Sequence, residues 1–248
     1  MSHCIACEAT DLVTLPALKN GHAFKHCPRC DLIQVDPMPS DEALATFYEN
    51  YHKTGQYQSK IQSKVRRARR RIRLANGFRN RGSFLDVGCN VGFAVEAARQ
   101  LGFAAMGIDV DGVAIQQAKA QFPEAAFAPL SIEALADERQ QFDLIYCSEV
   151  IEHLPSLETF LPALRRVMHA RTTLLITTPD TRHRSLSRDF HKLVEWDSFR
   201  PPEHLLYFSK QSLNALLNRH GFGEPRYSFS TKPTLKVIVK KGRPSSSE

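Results

Sequence analysis

Apolar positions set the first expectations. Over 59–76, Ile61, Val65, Ala68, Ile72 and Ala75 step by four, three, four and three, which predicts a helix with one narrow buried stripe. Gly77 stands near its expected C-cap. DEALATFYENYH (41–52) predicts a shorter helix before it. From 83 onward short apolar runs alternate with helical spacing. SFLDV, AAMGID, AAFAP, FDLIYC and TTLLITT read as strands. VGFAVEAARQLG, DGVAIQQAKAQF and SLETFLPALRRVMH read as the helices between them. This alternation predicts an α/β fold, a doubly wound, mostly parallel sheet with helices on both faces. Residues 179–208 are polar and irregular and read as a cap or insertion. SKQSLNALLNRHGF starts on serine and stops on glycine, as a helix does. PRYSFS and TLKVIVK read as two last strands at a sheet edge.

Composition adds little to this until charge is placed. The 248 residues are 42% hydrophobic and 24% charged, as in a globular protein, and no apolar run nears a membrane span. MSHCIACEAT lacks the basic-then-apolar pattern of a signal peptide, so the expected location is cytoplasmic. The net charge of +7 has one source: KVRRARRRIR (64–73) holds seven basic residues, and removing them from the 33 leaves 26 against 26 acids. Such a run binds phosphates or is simply a solvated helix face.

FLDVGCNVGF carries the most specific chemistry. Asp86 ends a strand, Gly88 and Gly92 lie in the turn, and a helix follows. Glycine lets the backbone bend sharply and approach a ligand, and in an open α/β sheet the crevice at the carboxyl ends of the strands is where ligands bind. Asp109 closes the second strand, 21 residues after Gly88, where an acid can accept from ribose hydroxyls. A dinucleotide loop would need glycine where Asn90 and Phe93 stand. D-x-G-x-x-x-G instead resembles the first motif of class I methyltransferases dependent on S-adenosylmethionine, with Asn90, a residue tolerant of left-handed backbone, in place of the middle glycine. FDLIYCSEVIEHLP resembles the family's fourth-strand motif. PPEHLLYFSKQSLNALLNRHGF resembles the late segment of its small-molecule branch, which includes the ubiquinone-biosynthesis O-methyltransferases. The resemblance implies a cofactor site of Asp86, Gly88, Cys89, Asn90, Gly92, Asp109, Val110 and Ser148. Where many members carry an acid for adenine after the third strand, this chain has Ala128 and Pro129.

Cys4-x2-Cys7 and Cys27-x2-Cys30, 19 residues apart, suit a tetrahedral zinc; a redox pair or core cysteines are the other readings. Four thiolates leave no open position, so such a zinc is structural. Asp31 stands where glycine usually follows a knuckle. Past the fourth strand come Glu149, Glu152 and His153, with His204 returning later. Positions i, i+3 and i+4 share a helical face. This constellation resembles one seen in ubiquinone-pathway and small-RNA 2′-O-methyltransferases, which implies a divalent Mg2+ or Mn2+ at the acceptor; a general-base histidine or plain packing are the other uses.

The sequence thus divides into a zinc ribbon (1–38), a helical cap with the basic helix (39–79), a methyltransferase domain (80–240) and a disordered tail (241–248). The expected reaction is methyl transfer to a small-molecule acceptor, a hydroxyl, which carries a phosphate if the basic helix holds one. The rivals are an RNA methyltransferase and an inactive cofactor-binding scaffold.

Overall fold

The computed structural model describes residues 2–51, 61–77 and 82–242. It divides into two compact units, one of Met1–Gly55, Glu149–Leu157 and Thr177–Val237, the other of Gln56–Ser148, Glu158–Ile176 and Ile238–Glu248. Among the described residues no helix is long and apolar enough to cross a membrane.

The chain opens with three short strands, β1 (Val13–Thr14), β2 (Phe24–His26) and β3 (Ile33–Val35), then α1 (Asp41–Tyr51) and α2 (Ile61–Asn76). The doubly wound part follows as β4 (Ser83–Val87), α3 (Phe93–Gln100), β5 (Ala104–Ile108), α4 (Gly112–Gln121), β6 (Ala126–Ala128), α5 (Ile132–Asp137) and β7 (Phe142–Ser148). A 3-10 turn (Ile151–His153) leads to α6 (Phe160–Arg166) and the long β8 (Met168–Pro179). Then come α7 (Phe190–Leu193), β9 (Leu206–Tyr207), α8 (Lys210–Arg219), β10 (Arg226–Tyr227) and β11 (Thr234–Val239). Seven strands form one sheet in the order β10-β11-β8-β7-β4-β5-β6, with β4 parallel to both β5 and β7 and β5 parallel to β6.

The apolar stripe of α2 is buried as its spacing predicts. Val65, Ala68, Ile72 and Ala75 lie in one core cluster with Ala94, Ala97 and Ala98 of α3 and with Leu101 at its C-cap. The small residues of α3 let the two helices approach closely. Gly77, at φ +60°, closes α2 by donating to Arg73 O at 3.0 Å. The start of the predicted 59–76 helix, and residue 52 of the predicted 41–52 helix, lie outside the described residues. So do residues 243–248 of the tail, whereas Lys241 is docked, donating to Met168 O at 2.6 Å.

Two elements depart from the sequence reading. α5 was not expected, yet it carries an ordinary signal: Ser131 Oγ accepts from Ala134 N at 3.2 Å, and Ile132, Leu135 and Ala136 form its buried face. Segment 179–208, read as irregular, supplies β9, which pairs antiparallel with β3 (Ile33 opposite Tyr207). The Cys-rich module therefore shares a four-stranded sheet, β1-β2-β3-β9, with that segment. Its packing shows why. Phe199 stacks on Tyr207 with centroids 4.1 Å apart, and Phe24 of β2 meets both rings edge-on at 5.6 and 5.7 Å. Neither segment can bury these rings without the other.

Candidate functional site

The loop between β4 and α3 is held by backbone geometry. Gly88 and Gly92 have φ of +71° and +84°, and Asn90 takes +47°, the left-handed backbone expected of it. The N–H groups of Gly88 and Cys89 both donate to Ile108 O, at 2.9 and 3.0 Å. A Cβ on Gly92 would stand 2.5 Å from Phe127 Cζ, so only glycine fits this turn. Asp109 clamps the loop from the end of β5. Its carboxylate accepts from Asn90 N at 2.8 Å and from Asp111 N at 3.0 Å. Asp86 is buried, and burial, then the Asp109 charge, hold its carboxyl well above the usual range. A cationic ligand group beside it would restore the carboxylate, so the residues present fit the ammonium and ribose ends of S-adenosylmethionine. Cys89 is buried, and burial pushes its thiol up, while Val110 is 78% exposed.

Arg71 belongs to this set, and the sequence reading counts it only as one of seven cations. Its Nη1 donates to Tyr146 Oη at 3.2 Å and to Ser148 Oγ at 2.9 Å, at the carboxyl end of β7. The signal was its position. Three residues after Ala68 and four before Ala75, Arg71 sits on the side of the buried stripe, where a cation needs a reason.

The second group lies just after β7. Glu149, at φ +58°, precedes the 3-10 turn and is not on a helical face with Glu152 and His153. This corrects the expectation of one helical turn carrying all three; Pro155 ends the turn before it can lengthen. Glu149 Oε1 accepts from Thr177 Oγ1 at 2.8 Å. Glu152 is wholly buried; its Oε2 accepts from Thr178 Oγ1 at 3.0 Å, and its Oε1 has no partner. Burial, then the nearby Glu149, push its carboxyl well above the ordinary range. The His153 and His204 rings meet edge to face, centroids 4.6 Å apart. One ligand atom each of Glu152, His153 and His204 lie within 4.8 Å of one another, a grouping that leaves Glu149 out.

The two imidazoles are not equivalent. His204 Nδ1 is 2.9 Å from Ser198 O, and its Nε2 faces the Arg200 guanidinium at 3.2 Å, so both nitrogens are engaged. His153 Nδ1 is 2.8 Å from Glu203 O, which places the ring proton there and leaves Nε2 with its lone pair. Burial lowers His153 to about 4 and His204 to about 2, so both are neutral near pH 7.

The four cysteines form two matching knuckles. Cys4 O accepts from Glu8 N and Cys27 O from Asp31 N, each at 2.8 Å, and Glu8 and Asp31 both have positive φ (61° and 67°). Cys4 Sγ is 3.4 Å from Cys30 Sγ, Cys7 Sγ is 3.5 Å from Cys27 Sγ, and all four sulfurs lie within 4.8 Å of one another. Zn–S bonds of about 2.3 Å would set tetrahedral sulfurs about 3.8 Å apart, so the donor set fits zinc. The Cys4 thiol is pulled down to about 5 by its bond with Cys30, which is pushed up by the same bond. His26 is half-buried with Nε2 2.9 Å from Asp31 Oδ1.

Comparison with known proteins agrees with this geometry. The ubiquinone biosynthesis O-methyltransferase of Methylococcus capsulatus is 32% identical over 99 residues, 38% of this chain and 42% of that protein. That of Bartonella quintana is 32% identical over 101 residues, 38% and 40%. The match thus spans about two fifths of the length of these relatives. Among solved structures, the 1,6-didemethyltoxoflavin-N1-methyltransferase of Burkholderia thailandensis, which holds S-adenosylhomocysteine, superposes with a TM-score of 0.61 at 14% identity, over 92% of this chain and 98% of that one. An S-adenosylmethionine-dependent methyltransferase from Clostridium acetobutylicum gives 0.55 at 14%, over 80% and 99%. These structural likenesses show the fold, that of a class I methyltransferase. The family model described as a methyltransferase domain matches residues 56–223, more than half of the sequence, and the chain belongs to that family.

Proposed function

We propose that the chain transfers a methyl group from S-adenosylmethionine to a hydroxyl of a small-molecule acceptor, with His153 as the base, in the cytoplasm. The observation that carries the choice of oxygen is the neutral His153 ring, anchored through Nδ1 to Glu203 O with Nε2 left able to accept. The partial match to O-methyltransferases points the same way. When bound, the cofactor supplies an electrophilic methyl group on a sulfonium. Asp86 would hold its ammonium, Asp109 its ribose hydroxyls and Arg71 its carboxylate, with the backbone from Gly88 to Gly92 bordering it. Val110 and Ser148 border that site. His153 Nε2 would accept the proton of the acceptor hydroxyl. His204 holds the His153 ring edge-on, and Glu152, neutral and buried, supports the turn. Much of the rate comes from holding donor and acceptor in line. A reducing cytoplasm keeps the four thiols available to zinc.

Turnover of radiolabelled methyl groups, screened against extracted small molecules and total RNA, tests the reading. Label in RNA alone would transfer the conclusion to the rival that the exposed Arg66, Arg67, Arg70 and Arg73 favour. Cofactor binding with no turnover in any extract would favour the inactive scaffold. A divalent metal on Glu152, His153 and His204 is the second reading of the acceptor site. It would have to displace Arg200 from His204 Nε2, so activity should survive chelation by a strong Mg2+ and Mn2+ ligand.

His153→Ala should lower kcat by about 10²–10⁴-fold, the usual share of a general base, with cofactor affinity unchanged. The depressed His153 value means the base is already neutral from pH 5 upward, so kcat/KM should fall only as pH drops toward about 4. A limb at pH 6.5 would remove His153 from that role. Arg71→Ala should weaken S-adenosylhomocysteine binding about tenfold or more by calorimetry, as loss of a charged hydrogen bond does. Unchanged affinity would place Arg71 outside the site.

A further inference from the structure

A cavity of about 430 Å3 lies within the first unit, among residues that take no part in the proposed chemistry. Its walls come from the turn after β8, the first turn of α8 and the β10–β11 connection. The size falls in the range that takes a small organic ligand.

Its charge is lopsided. Arg182, Arg184, Lys210 and Lys236 line it against Asp31 and Asp180 alone, a net of two positive charges among its lysine, arginine and aspartate side chains. Arg182 is already committed, its Nε 2.7 Å from Asp31 Oδ2 and its Nη2 on the other oxygen. Asp180 is buried, and its Oδ1 accepts from Arg182 N at 2.9 Å. Arg184 and Lys210 supply positive charge to the same space. Lys210 opens α8, a ten-residue helix whose positive end therefore faces the same space.

Aromatic surface adjoins the cations. Phe229 is 72% exposed and presents its ring to the cavity. Arg184 stands 5.1 Å from its centroid and Lys210 stands 5.3 Å from that of Tyr227. The wall carrying Phe229 is braced: His183, buried beneath it, has Nε2 3.2 Å from Ser230 O, and Tyr227 Oη donates to Asn214.

We infer that this cavity binds a phosphorylated small molecule with a planar ring, its phosphates on Lys210 and Arg184 and its ring on Phe229. The site stands on different residues from the cofactor loop and does not depend on the proposed reaction. Calorimetry with uridine diphosphate, on full-length protein saturated with S-adenosylhomocysteine, is the direct test. Saturation keeps the nucleotide out of the cofactor loop. Binding is expected, weakened about tenfold or more by Lys210→Ala through loss of a charged contact. Phe229→Ala should weaken it about tenfold through loss of stacking, and leave inorganic pyrophosphate binding unchanged. Both side chains are exposed, so the variants keep the fold. No binding at millimolar nucleotide overturns the inference, as does binding indifferent to both substitutions. So does binding that Arg66→Glu with Arg70→Glu abolishes while the cavity variants retain it, since the phosphates would then sit on α2.

Discussion

Gly92→Ala should weaken S-adenosylhomocysteine binding by about a hundredfold and lower the melting temperature by several degrees. The added Cβ is the whole cause. It forces an alanine into φ +84°, which costs on the order of 1 kcal/mol. It also lands 2.5 and 2.6 Å from Phe127 Cζ and Cε1, on a ring that is only 7% exposed in β6. Overpacking of that kind costs about 1–3 kcal/mol. Relief can come only from moving the loop off Ile108 and Asp109, which is where the cofactor is proposed to bind. Gly92→Ala combined with Phe127→Leu should therefore recover part of the affinity, because the contact is steric. Asp109→Asn keeps the shape and serves as the second arm, with a smaller loss expected. Full affinity in a folded Gly92→Ala protein would remove this loop from the cofactor site.

Cys27→Ser should leave the protein without zinc and cost it more stability than any surface change. Structural zinc sites contribute folding free energy outright, and three remaining cysteines close the tetrahedron poorly. The effect should reach activity, because β9 pairs with β3 and carries on directly from His204. Metal content by elemental analysis, melting temperature and methyl transfer should fall together. One zinc per chain in a Cys27→Ser protein would refute the site as drawn. Asp31→Ala offers a milder version. Its carboxylate is held well below the usual range by Arg182 and His26 against the opposing effect of burial, so it is charged throughout the working range and its loss unlinks the knuckle from Arg182.

How much of this was readable in the sequence follows the reach of each signal. The β–α alternation from residue 83, the loop glycines and the paired cysteines are local patterns, and each corresponds to a local structure. Asn90 and Asp31 were legible as left-handed residues because glycine usually stands there; Glu8, in the equivalent place of the first knuckle, carried the same signal unread. Glu149, Glu152 and His153 look like one helical face because their spacing is helical, but Pro155 and the positive φ at Glu149 deny the turn that spacing assumes. β9 was invisible for another reason. Two residues of strand have no period of their own, and their partner lies more than 170 residues earlier. The cavity around Phe229 drew no notice in the sequence, since its charges come from four separate segments.

The strand that β9 lends to β3 bears on how such a protein can be cut and recombined. Residues 2–38 moved to another chain would carry four cysteines able to take zinc but would leave one edge of β3 bare and Phe24 without the rings of Phe199 and Tyr207. An open edge beside an uncovered aromatic ring is a template for self-association. The module is thus inheritable only with segment 199–207, and a graft that omits it should precipitate rather than fold.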